Sequence, residues 1–143
     1  MGYALFAQEK LALTGIINSI QLQQTQRSNE QYRLATNTLS LQQQISAINE
    51  EKSRESAVLY EQLVGIDIDN SDDREKINAQ LSALDSKYET EIQAVNRKMQ
   101  QVSQKETIIE MEVKRLDTKL TALQKQLEAI EEAEGDGIEA ATP

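Results

Sequence analysis

The chain has 143 residues, enough for one ordinary domain, yet aromatics make up only 3% of it, with no Trp and one Phe, so there is little bulk to fill a round core. A net charge of −9 argues against nucleic acid and anionic lipid as partners. The absence of Cys and His excludes thiol chemistry, the usual zinc sites and the commonest general base. Ala, Leu, Glu, Gln and Lys dominate, and no alternating Val, Ile and Thr runs mark a strand, so the expected fold is all-α.

The N-terminal segment MGYALFAQEKLALTGIINSI is apolar but is interrupted by Glu9 and Lys10, with no basic residue ahead of it. It therefore fits neither a cleavable secretory signal nor a membrane span of about 20 apolar residues. If the protein is exported, to the cell surface or beyond, the route needs no cleaved signal. Leu5, Phe6, Ala12, Leu13, Ile16, Ile17 and Ile20 spread over roughly 140° of a helical wheel. That is wider than a two-helix seam requires, so Leu5, Phe6, Leu13, Ile16, Ile17 and Ile20 are candidates for a subunit interface.

Between Gln21 and Arg33 the apolar stripe nearly vanishes, with only Leu22 and Tyr32 in QLQQTQRSNEQYR. Beyond it Leu34, Leu41, Ile45, Ile48, Leu59 and Leu63 restore the stripe, while Thr38, Lys52 and Glu55 occupy seam positions. The first helix is predicted over residues 1–64. The bend follows at 65–71, with Gly65 expected just past the helix end and Asn70 or Ser71 capping the next helix. Its acids invite comparison with a calcium loop starting at Asp67. That loop needs Gly at its sixth position and Glu at its twelfth, and the chain has Asp72 and Asn78. The stretch reads as a bend, and no cofactor or metal site is assigned.

From Ile77 to Ile130 apolar residues recur at steps of three and four, the heptad spacing. Glu106 is the polar intruder. Two successive four-residue steps, Leu84 to Tyr88 to Ile92, insert a stutter that locally unwinds a supercoil. The second helix is predicted over 72–134, and residues 135–143 as an acidic flexible tail beyond Gly135 and Gly137, with the acidic end either fraying into solvent or meeting basic groups such as Lys10, Arg27 and Arg33 on a neighbouring subunit.

Equal arms about a bend predict a long antiparallel two-helix hairpin, a coiled coil with residue i near residue 136−i. In that register the polar run faces residues 103–115. Arg27, Gln31 or Arg33 would then match Glu106 in a layer that sets register; the alternative is a run that merely faces solvent. One narrow seam stabilises so long a hairpin poorly, which predicts packing with other copies of itself.

The opening Met1, Gly2, Ala4, Gln8, Leu11, Leu13 and Thr14, with the late Leu116, Asp117, Thr118, Ala122, Leu123 and Gln124, resembles a set of short bacterial coiled-coil proteins of unassigned function. More loosely, the architecture resembles helical-hairpin filament subunits of flagellar and type III secretion systems. The resemblance implies a structural protein, a self-assembling subunit of a filament or sheath. The alternative is a coiled-coil adaptor or an export chaperone that clasps a partner helix. Acid pairs such as Glu128 and Glu132 have nothing to shield them from water, so no enzyme and no small-molecule substrate is expected.

Overall fold

In a computed structural model the chain is an all-α hairpin of two packed helices, α1 (Gly2–Val64) and α2 (Ser71–Ala141). Residues 2–141 are described, and their side chains from 4 to 136. Contacts divide them into a terminal unit, from the N-terminus to Arg33 with Glu106 onward, and a bend unit, Leu34–Lys105.

In the bend unit, α1 ends without the left-handed glycine that its sequence suggests. Gly65 has no positive φ; its N–H still donates to the Glu61 carbonyl at 3.2 Å, and the Ile66 N–H to Leu63 at 3.3 Å. The last turn tightens in place of a left-handed cap, which satisfies the carbonyls by a different route. Asn70 caps α2: its side-chain oxygen accepts from the Asp73 N–H at 3.4 Å, and its Nδ2 donates to the Asp73 carboxylate at 2.7 Å. Asp72 and Asp73 complete an acidic first turn that suits the positive end of the helix dipole. Leu41, Val95 and Val102 form the buried core of this unit, with Leu34, Ile45, Ile48 and Met99 packed on it. Tyr88, 1% exposed, sits at the stutter, where a residue between two four-residue steps points at the partner helix rather than to one side of it.

In the terminal unit Ile17 and Ile20 of α1 and Ile109 and Leu116 of α2 are buried, flanked by half-buried Phe6, Leu13, Val113, Leu120 and Leu123. The second helix does not stop at Glu134. It runs through Gly135 and Gly137 to Ala141, so the tail expected at 135–143 is helical as far as Ala141. Each glycine costs about 1 kcal/mol relative to Ala in a helix. The surrounding Ala and Glu residues are strong helix formers, and no proline precedes Pro143.

Candidate assembly face and polar seam

The heptad seam of α1 never breaks. Through the apolar gap it continues at Gln24, Arg27 and Gln31, each half-buried, at the same steps of three and four that carry Ile17, Ile20 and Leu34. Arg27 reaches Glu112 on α2 at 2.7 Å through Nε, and Glu30 on its own helix at 2.6 Å through an Nη. Gln24 Nε2 donates to Asp117 at 2.6 Å. Polar contacts therefore cross the hairpin at Arg27 with Glu112 and at Gln24 with Asp117. Arg33 is exposed, Gln31 is half-buried, and Glu106 is half-buried at its own seam position.

In the 136−i register residue 109 lies opposite Arg27 and residue 112 opposite Gln24, yet the partners made are Glu112 and Asp117. Both lie further along α2, as does Glu134, which pairs with Lys10 at 2.7 Å. Side chains on a helix lean toward its N-terminus, which favours partners beyond the residue directly opposite. The offset grows toward the chain termini, so the register itself departs from 136−i in this unit. In the bend unit Lys52 meets Asp85 at 3.3 Å, one residue from the expected position.

Lys10 settles what the acidic end of α2 does within the chain. Its hydrogen bond to Glu134 raises its pKa above the usual lysine value, against the effect of burial, and Glu131 adds to the rise. The Tyr88 hydroxyl is different. It is buried with no partner in good hydrogen-bond geometry, although the Glu55 carboxylate lies near enough to act on it. Burial first, then Glu55, with Glu51 and Glu91, pushes the phenol up to about 12. The Lys87 ammonium sits 5.0 Å from the ring centre.

The candidate interface residues are divided by the hairpin. Ile17 and Ile20 are buried on the seam and Phe6 and Leu13 are half-buried there, because the 17–20–24 steps belong to the intramolecular stripe. Leu5 and Ile16 remain exposed, and so do Leu11 and Leu22, which the sequence places on the opposite side. No family model, curated protein or solved structure matches the chain. Its chemistry must be read from its own residues. Among the described residues no group of acidic side chains is arranged to hold a metal ion, and no helix is long and apolar enough to cross a membrane. Surface depressions such as the one lined by Asn49, Lys52, Ser56 and Tyr60 are wide open to solvent.

Proposed function

We propose that the protein is a structural subunit, a helical hairpin that self-assembles with copies of itself into a filament or sheath, without catalytic activity. The observation that carries this reading is the apolar surface left over once the seam has closed. Leu5, Leu11, Ile16 and Leu22 stay exposed within a short stretch of one helix, where a monomer gains nothing from them. A polar seam weakens the isolated hairpin further, since Lys10, Gln24, Arg27 and Lys52 occupy positions that a stable coiled coil fills with Leu or Ile. Placement at a bacterial surface belongs to the same proposal.

Sedimentation velocity with negative-stain imaging of the purified chain tests it. Fast-sedimenting material with regular fibres or sheets is expected at micromolar concentration. A chain that stays monomeric, or that forms a small complex only with a foreign helix, would instead make it an adaptor or export chaperone.

A further inference from the structure

The terminal stretch of α1 carries a second heptad stripe, on the side turned away from α2. Leu11, Gly15, Asn18, Leu22, Thr25 and Asn29 follow one another at steps of four and three, and Tyr32 comes three residues later. Every one of them is exposed, Leu11 at 76%, Leu22 at 60% and Tyr32 at 76%. None is charged. Of the charges of the same stretch, Glu9, Lys10, Arg27 and Glu30 lie on or beside the stripe that faces α2, and exposed Arg33, next to Tyr32, bounds the uncharged stripe at its far end. A solvent-facing helix surface normally carries the charges and the core stripe does not; here the arrangement is reversed.

Gly15 is the second observation. It lies inside a 63-residue helix, where Gly is the poorest helix former short of Pro. Nothing lies within 4 Å of a Cβ built on it, so no packing within the chain demands its small size. A glycine notch between Leu11 and Leu22 on an uncharged stripe suits the close approach of another helix, whose side chain fills the notch.

The charge pattern identifies that helix. On the outer side of α2 in this unit Ile108 and Met111 are exposed, but so are Lys114, Arg115, Lys125, Glu128 and Glu132 beside and beyond them. Seating these on an uncharged stripe would strip them of water with no counter-charge in return. The complement must itself be uncharged and must offer a side chain to the notch, and the α1 stripe meets both conditions with Leu11 and Leu22. We infer that the stripe from Leu11 to Tyr32 packs on the same stripe of a second copy, α1 against α1, leaving α2 to face water. This rests on the self-assembly reading and names the contact that assembly uses.

The natural absence of cysteine makes the contact directly testable. Asn18→Cys places a thiol on the stripe and Gln23→Cys places one off it, on a position that is also exposed. With a short bismaleimide, Asn18→Cys should give covalent dimer in several-fold excess over Gln23→Cys. Gly15→Leu, which fills the notch with a better helix former, should keep its helix content by circular dichroism while lowering the sedimentation coefficient to that of a monomer. If the natural chain assembles, Gly15→Leu assembles as well as it does and the two cysteines cross-link equally, the stripe is not the contact and the self-assembly reading survives. A natural chain that is monomeric at every concentration overturns both.

Discussion

Tyr88 concentrates two opposing demands in one side chain. Its ring fills the stutter, while its hydroxyl is buried beside carboxylates without a well-formed hydrogen bond. Because the folded phenol titrates near 12 and an unfolded one near 10, the folded state holds its proton more tightly. The resulting stability is fully present below about pH 10 and is lost as pH rises through 12. Lys10, also raised, acts in the same direction. Urea midpoints measured between pH 8 and 12 should therefore fall on the alkaline side, and Tyr88→Phe should flatten that fall. The ultraviolet titration of the natural chain minus that of Tyr88→Phe should have its midpoint near 12. Arg27 supports a second prediction at this scale. Its ion pairs are partly solvent-exposed, worth about 0–1 kcal/mol. A leucine at the same seam position buries more apolar surface, and Glu112 remains partly in water when its partner goes. Arg27→Leu should melt higher than the natural chain by circular dichroism, and a lower melting temperature would show that the ion pairs outweigh the burial.

At the scale of the helix, the two arms are built on different economies of charge. On α1 the intervals between charged residues are wide, and Gln, Ser, Thr and Asn fill them; α2 is dense in Glu, Lys, Asp and Arg. Helix-forming residues extend α2 through two glycines, whereas α1 stops where Gly65, Asp67 and Asp69 gather poor helix formers in one place. What starts α2 is Asn70, which exchanges hydrogen bonds with Asp73. Replacing Asn70 by Ala should cost about 1 kcal/mol, the usual loss for an N-cap, read as a lower urea midpoint with unchanged slope. Asn70→Asp should keep most of the stability, because a carboxylate accepts the same N–H and suits the helix dipole.

For the molecule as a whole, the net charge of −9 works against bringing copies together. Assembly through an uncharged face on α1 leaves that repulsion between the copies, where salt screens it over a Debye length of about 8 Å at 0.15 M. Raising sodium chloride from 20 to 300 mM should lower the critical concentration for assembly, followed by light scattering. Assembly that dissolves with salt would point instead to ion pairs between copies as the main attraction.

The helical class, the bend and the seam of α2 were legible in the chain, because heptad spacing, helix-forming composition and an Asn-Ser-Asp-Asp start are local signals that packing reinforces. The course of the α1 seam was not. Gln24, Arg27 and Gln31 look like an interruption on hydrophobicity alone, and only a partner helix shows that they hold seam positions. The same partner withdraws Ile17 and Ile20 from the candidate interface and exposes Gly15 as a notch that nothing in the chain fills. Which acid meets Arg27 depends on the register in which the antiparallel helices pack. Spacing along one helix determines which residues share a face. It does not determine what lies across from them, because that distance exists only once two helices have packed.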